Sequence, residues 1–251
     1  MSSHLDPVSL LVPGARLVFG ELHGTNEIPA AIARLVNQSA ALGRRMVLAL
    51  ELPSMTRVSD YVTGTSPAGA GLADLSVWWR TVDGRSSKAM AGLIDHARHL
   101  ARAHDLEVVC LDTGQIRHPA DLHERERHLA RQFTQTCESA GDACVIGLVG
   151  SAHAWIGDDV HLNGGPSMAT IVHQAVPELR TIQFESAGGE AWVMTDPNRP
   201  AGPTPIPAGT HHQLAPGIHL WPTLTKHVHG IWVLGTHLTA SPPLITPHTH
   251  T

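Results

Sequence analysis

Short apolar runs alternate with stretches of helical periodicity from residue 16 onward. Arg16–Gly20 and Met46–Leu50 are predicted strands, because continuous apolar runs are typical of strands covered on both faces of a sheet. Between them, apolar residues recur at helical spacing from Ile28 to Leu42, and Gly43 ends that helix. The same criteria predict further strands at 108–111, 143–149, 181–185 and 191–194, and helices at about 86–100, 119–139 and 167–176.

This order of strands and helices requires right-handed βαβ crossovers and therefore a mostly parallel sheet. We expect an α/β protein, a three-layer sandwich with an additional C-terminal β-hairpin or edge strands. Residues 1–195 would form a catalytic-type core, and 196–217 a Pro/Gly-rich connection. Residues 218–251 would supply C-terminal strands that pack on the core, followed by a disordered tail.

Four of the predicted strands lead directly into an ionisable residue. Glu21 and His23 follow the first strand, Glu51 the second, Asp112 the third and His153 the fourth. Ligands of open parallel sheets bind beyond the carboxyl ends of the strands, so these side chains are expected to meet at one edge. The pattern predicts a polar reaction centre there.

Residues at helix starts, at one strand end and beside the apolar stripe of a helix complete the candidate site. Arg85 precedes a helix, where a cation is disfavoured unless it binds an anion or a carbonyl group. Glu27 and Ser86 have ordinary roles as a helix-start acid and a cap, and are candidate substrate-binding residues as well. Asp112 and Arg125 are candidate substrate-binding residues too, and the arginines would limit repulsion among the carboxylates.

The chemistry of this set stays open at the level of the sequence. His23 and His153 each end a Gly-x-x-His sequence, and together with Glu21 they suit Zn, Mn or Fe. An imidazole beside a carboxylate can equally act as a general base without a metal. The chain contains 19 histidines, and this number alone does not indicate a metal site.

Composition narrows the class of protein. A net charge of −5 gives no excess of positive charge of the kind that binds nucleic acid. The sequence also has no run of about 18 apolar residues that would span a membrane. Three cysteines and no recognisable signal peptide indicate a cytoplasmic location. We expect a small-molecule or peptide substrate, and the oligomeric state is left open.

Several of these segments together resemble a known superfamily. The motifs GELHGTNE, ALELP, DGRSSxAM, VVCLD, RExxLA and LVGSAHA are similar to those of the superfamily that joins ChaN-type haem-uptake proteins, erythromycin esterases and TIKI metalloproteases. The resemblance covers most of residues 14–195. It implies an α/β sandwich with its site at the carboxyl edge of the sheet.

The branches of this superfamily imply different activities. In the TIKI branch, two Gly-x-x-His motifs and a glutamate form the active site. The resemblance maps these residues here onto His23, His153 and either Glu21 or Glu51. In the esterase branch, a glutamate and a histidine near the first strand serve hydrolysis, with one more residue between them than here. The ChaN branch binds haem, and this sequence shows no lipoprotein signal.

Two functional hypotheses follow. The first is a hydrolase that cleaves an ester, amide or lactone: His23 or Glu21 activates water, directly or as metal ligands, and His153 is a second ligand or proton donor. Glu51 would orient or ligate, and Arg85 would bind a substrate carboxylate or an oxyanion. The second hypothesis is a haem- or metal-binding protein of the ChaN type without hydrolytic activity.

Overall fold

A computed structural model describes residues 3–113, 121–157, 159–162, 164–193 and 202–245. Its main feature is an eight-stranded sheet in the order β1-β11-β12-β8-β2-β5-β3-β4. These strands are β1 Ser3–Leu5, β2 Arg16–Glu21, β3 Met46–Pro53, β4 Leu106–Asp112, β5 Cys144–Gly150, β8 Arg180–Glu185, β11 Gly217–Thr225 and β12 Val228–Val233. Two small antiparallel pairs lie outside it, β6 His161–Leu162 with β7 Gly165–Pro166, and β9 Gly189–Val193 with β10 Gly202–Ile206.

The sheet is parallel from β12 through β8, β2, β5 and β3 to β4. At one end, β11 pairs antiparallel with β12, and β1 pairs antiparallel with β11. The predicted α/β class and C-terminal hairpin are therefore confirmed. The hairpin extends the main sheet because β12 lies parallel beside β8 and brings its apolar residues into the core.

Helices cover both faces of the sheet, as the predicted three-layer arrangement requires. They are α1 Glu27–Ala41, α2 Val58–Thr63, α3 Leu72–Leu75, α4 Lys88–Ala101, α5 Asp121–Ser139 and α6 Met168–Ala175. Alternate residues of a strand point to opposite faces. Accordingly, Phe19 packs in the core with α1 and α4, while Val18 packs in the separate core with α5 and α6. None of the helices in the described ranges combines the length and the apolar composition that a membrane-spanning helix requires.

Most predicted elements lie within a few residues of the observed ones, and caps explain the boundaries. The Ser87 hydroxyl accepts a hydrogen bond from the Met90 amide at the start of α4, and Ser167 caps α6 in the same way. The predicted start of α5 at Pro119, the last residue of the predicted strand at Met194 and the predicted disordered tail beyond residue 245 lie outside the described residues.

The division into a core, a connection and C-terminal strands stays a prediction. The stretch expected to be only a connection, 196–217, contains β10, which pairs antiparallel with β9. Pro203 and Pro205 are tolerated there because a two-stranded ribbon leaves one side of each strand without hydrogen-bonding partners in the pair.

Strand register brings the predicted site residues to one edge. Glu21 at the end of β2 lies level with Gly150 at the end of β5. Glu51 follows Leu50, which pairs with Leu148 of β5 on one side and Cys110 of β4 on the other. Asp112 ends β4, so the three carboxylates leave neighbouring parallel strands in the same direction.

Candidate active site

Glu51 is the centre of a buried polar cluster. Its side chain is only 3% exposed, and one oxygen, Oε2, accepts a 2.6 Å hydrogen bond from the Gly150 amide. The other oxygen, Oε1, lies 2.5 Å from Arg125 Nη2 and 3.2 Å from Arg85 Nη1. Burial alone raises the pKa of Glu51, but His153 and His23 when protonated, together with Arg125, outweigh it and hold the pKa well below its usual range.

Both predicted histidines contact this same carboxylate. His23 Nε2 lies 3.5 Å from Glu51 Oε2, and His153 Nε2 lies 3.6 Å from Glu51 Oε1. The two imidazoles come from loops that follow different strands, β2 and β5, and they meet because those strands are neighbours in the sheet. The convergence expected from the two Gly-x-x-His sequences is therefore present.

His23 is the more exposed imidazole, at 26% of its side chain, and it lies between two carboxylates. Its Nδ1 is 2.9 Å from Glu21 Oε1, on the side opposite Glu51. Burial lowers the pKa of His23, but the charges of Glu21 and Glu51 and their hydrogen bonds outweigh burial and raise it to about 10. His23 therefore carries its proton at neutral pH.

His153 lies in a different environment. Its Nε2 is 3.0 Å from Arg125 Nη1, and its Nδ1 is 2.7 Å from Glu126 Oε1. A guanidinium has only donors, so the Nε2 atom of His153 must accept the hydrogen bond from Arg125. In the neutral form of this imidazole, the proton is then on Nδ1.

Two arginines balance the buried carboxylates. Arg125 binds Asp112 through Nε at 3.0 Å and Nη2 at 2.6 Å, in addition to Glu51. Arg85 binds Asp112 Oδ2 at 3.1 Å and Asp83 Oδ2 at 2.7 Å, and its guanidinium lies 5.9 Å from the ring centre of Trp78. Burial lowers the pKa of each arginine, but the facing carboxylates outweigh it and raise both.

The cluster has two layers that differ in accessibility. Glu21, Glu51 and Asp112 have side chains at most 3% exposed, whereas His23, Arg85 and His153 are 26%, 17% and 15% exposed. The two imidazoles and the Arg85 guanidinium thus reach solvent, and the carboxylates lie buried behind them. An approaching substrate would meet the imidazoles and Arg85 first.

Two predicted site residues lie elsewhere. Glu27 accepts hydrogen bonds from the amide and hydroxyl of Thr239, tying the start of α1 to the C-terminal segment. Ser86 is fully buried and donates to the Thr81 carbonyl oxygen inside a turn. Both perform the local roles that their residue types favour at helix starts, so the structure gives no support to a role for either in substrate binding.

Two contacting residues were missed as site residues. Asp83 holds Arg85 through three hydrogen bonds, two to the guanidinium and one to the backbone amide. Glu126 is 1% exposed and reaches His153 from α5. A signal for Glu126 was available, since it lies three residues before Leu129 and seven before Phe133, on the apolar stripe of its helix.

The proposed metal ligands do not fit a metal ion in this arrangement. Within the described ranges, no group of three His, Cys, Asp or Glu side chains is placed to hold one. His23 Nδ1 is engaged by Glu21, and the Nε2 atom of His153 that would bind the metal faces the Arg125 guanidinium. A guanidinium in that position repels a cation.

A cavity of about 650 Å³ lies at the opposite edge of the sheet, away from this chemistry. Its wall includes Arg16, whose guanidinium donates to the carbonyl oxygen of Cys137 in the last turn of α5 and to those of Gly141 and Ala143 after the helix. Those contacts cap a helix C-terminus, which favours a cation. The cavity therefore offers apolar volume without the convergent reactive groups of the cluster around Glu51.

Comparisons with known proteins place this fold. No family model matches the sequence, and no curated protein matches it. A mutant of the erythromycin esterase EreC in its open conformation has a TM-score of 0.64 at 13% identity, covering 94% of this chain and 94% of that chain. A succinoglycan biosynthesis protein has a TM-score of 0.64 at 9% identity, covering 96% of this chain and 95% of that one.

A Bacillus cereus protein of known structure has a TM-score of 0.62 at 8% identity, covering 97% of both chains. At these identities the likeness concerns the fold. The chain has an erythromycin esterase-like α/β fold with a buried acid–imidazole cluster at the carboxyl edge of its sheet. The α/β sandwich that the sequence motifs implied is confirmed, because the chain shares this fold with the erythromycin esterase.

Proposed function

We propose that this chain is a hydrolase that cleaves an ester, lactone or amide bond of a small molecule or peptide without a metal ion. One observation carries the proposal: two imidazoles lie beside the carboxylate of Glu51, and they have different neighbours, since His23 lies between two carboxylates and His153 Nε2 faces a guanidinium. Titratable groups whose environments differ in this way supply an acid and a base to the same reaction. The fold shared with an erythromycin esterase supports the same class of chemistry.

His153 is the proposed general base. Its Nε2 bears a lone pair that accepts from Arg125 in the free protein. When substrate and water bind, the water replaces that guanidinium contact and gives its proton to Nε2 as its oxygen attacks the carbonyl carbon. Catalytic hydrogen bonds of free enzymes often rearrange in this way on binding.

His23 is the proposed general acid. It is protonated at neutral pH because its pKa is raised to about 10, and its Nε2 lies 3.5 Å from Glu51, long enough to be redirected to a ligand. As the tetrahedral intermediate collapses, the bond to the leaving oxygen or nitrogen breaks and that atom takes the Nε2 proton. The products are a carboxylic acid and an alcohol or amine.

Glu51, Asp112 and the arginines provide the electrostatic setting. Glu51 stays ionised between the imidazoles, so it stabilises positive charge on whichever of them carries the extra proton. Arg85 is the more exposed guanidinium, at 17% against 9% for Arg125, and it donates to the carbonyl oxygen as negative charge develops. These roles exchange the ones expected for His23 and His153 from the sequence.

The test is hydrolysis of a panel of chromogenic esters, lactones and amides that includes erythromycin. His23→Gln and His153→Gln should each lower kcat by about 10²-fold to 10⁴-fold, the usual share of a general acid or base. His99→Gln is the matched control, since His99 is exposed in the last turn of α4. If both site variants, folded by circular dichroism, hydrolyse the best substrate at the wild-type rate, the proposal is wrong.

The rival hypothesis of a haem- or metal-binding protein is tested with the same material. Elemental analysis of untagged protein and a haem titration followed by absorption spectroscopy separate it from the hydrolase. The metal-independent proposal expects full activity after dialysis against EDTA. Loss of activity on dialysis, restored by one metal, would contradict it.

A further inference from the structure

Glu126 is a buried carboxylate with an unusual set of partners. It lies on the sheet-facing stripe of α5 and is 1% exposed. Its Oε2 accepts a 2.8 Å hydrogen bond from the Met168 amide, and its Oε1 lies 2.7 Å from His153 Nδ1. In the described part of the chain, no lysine or arginine contacts it, so its charge faces a helix N-terminus and an imidazole.

We infer that Glu126 is a positioning residue that fixes the tautomer and ring orientation of His153, tying the candidate base to the start of α6. The inference deepens the proposed hydrolase and rests on it for its catalytic meaning. The positioning itself is a physical property of the folded protein and is measurable without a substrate.

The hydrogen-bond donors and acceptors around His153 fit a single neutral form. Arg125 Nη1 can only donate, so Nε2 accepts, and the ring proton is on Nδ1 beside Glu126. The Nδ1–H does not point straight at Oε1, so the 2.7 Å contact is electrostatic rather than a well-aligned hydrogen bond. A carboxylate at this position favours the Nδ1–H tautomer and disfavours its alternative.

The other oxygen of Glu126 prevents the carboxylate from turning away. Met168 is the first residue of α6, whose free amides favour a negative charge. The hydrogen bond from its amide therefore anchors Oε2, and Oε1 is left on the side of His153. The same helix packs against α5 in the apolar core, so the anchor belongs to a buried helix pair.

Replacing Glu126 with Gln changes the hydrogen-bond pattern while keeping the side-chain shape. The Met168 amide needs an acceptor, so the Gln oxygen would take the place of Oε2 and the NH₂ group would face His153 Nδ1. Two N–H groups would then face each other unless the ring proton moves to Nε2, opposite the Arg125 donor. One of these contacts must break.

The experiment is two-bond ¹H–¹⁵N correlation NMR of ¹⁵N-histidine-labelled protein, recorded over a pH titration so that the neutral form of each ring is compared, with His153 assigned by its absence in His153→Gln. In the wild type, Nε2 should show the shift of an unprotonated nitrogen and Nδ1 that of a protonated one. Glu126→Gln should lose this pattern. The matched control is Glu124→Gln on the same helix, 61% exposed and paired with Arg127, which should keep it.

Two results overturn the inference. One is a wild-type His153 in the Nε2–H form, a finding that needs no variant to fold. The other is a folded Glu126→Gln protein with an unchanged His153 pattern.

Kinetics then separate this inference from the proposed function. If the wild type hydrolyses a substrate, Glu126→Gln should lower kcat by about 10²-fold or more with little change in KM. Wild-type protein that hydrolyses nothing but shows the expected tautomer would refute the hydrolase alone. An active enzyme whose His153 tautomer is insensitive to Glu126→Gln would refute the positioning role alone.

Discussion

The raised pKa of His23 makes a quantitative prediction about stability. A group whose pKa is higher in the folded than in the unfolded chain stabilises fully below its unfolded pKa, and this stabilisation is lost as pH rises through the folded pKa. For His23 these limits are 6.5 and about 10. The perturbation is His23→Gln, which removes the titrating group and leaves Glu21 and Glu51 in place.

The magnitude follows from the number of protons released. Between the two pKa values the folded protein keeps one proton that the unfolded chain has lost, so stability falls by about 1.4 kcal/mol per pH unit. From pH 7 to pH 9, the wild type should lose between about 2 and 3 kcal/mol more than His23→Gln. The other histidines and the three cysteines titrate in both proteins and cancel in the difference.

The assay is urea unfolding of both proteins at pH 7, 8 and 9, with the free energy taken from a two-state fit. The difference in free energy of unfolding should shrink steadily as pH rises. Parallel pH dependence of the two proteins would show that His23 does not hold a proton between the carboxylates. The protonation assigned to it, and its proposed role as an acid, would then be wrong.

Two further predictions concern the packing of the cluster. Arg125→Gln should lower the free energy of unfolding by about 3–5 kcal/mol, because it leaves Glu51 and Asp112 buried with less positive charge beside them. The control is Arg127→Gln, since Arg127 is exposed on the same helix, and it should cost less than about 1 kcal/mol in thermal or urea unfolding. Equal losses in the two variants would contradict the burial argument. Gly150→Ala would place a methyl group 2.9 Å from His23 Nε2 and 3.3 Å from Glu51 Oε2, so it should cost about 1–3 kcal/mol and lower any activity. Gly92→Ala in α4, where a methyl group meets open space, should be neutral or stabilising by up to about 1 kcal/mol, and a similar loss in both variants would refute the steric explanation.

The sequence predicted the location of the cluster because of a property that parallel sheets share. Strands that run in the same direction end at the same edge, so ionisable residues after Gly20, Leu50, Leu111 and Gly150 had to lie near one another. Apolar runs identified those strands without tertiary information. Arg85 was predicted as a site residue on a local argument, since a cation at the start of a helix is unfavourable.

The sequence could not predict which partner each polar side chain would contact. Glu27 and Ser86 have the residue types that both sites and helix starts use, and only the observed contacts with Thr239 and Thr81 separate these roles. Glu126 comes from a helix packed on the sheet rather than from a strand end, so no argument based on strand ends could include it. The difference between the surroundings of His23 and His153 depends on Arg125, whose side-chain direction is a tertiary property.

The pH dependence of kcat/KM, which reports the pKa values of the free enzyme, tests the central claim most directly when wild type and Glu21→Gln are compared on the best substrate of the panel. If His23 is the acid, wild-type activity should persist through neutral pH and fall with an alkaline limb as His23 loses its proton near pH 10. Glu21→Gln removes one of the two carboxylates that raise this pKa, so its alkaline limb should move to lower pH. Wild-type activity that instead rises steadily with pH through 10 would show that deprotonated His23 is the reactive form, and would contradict the account.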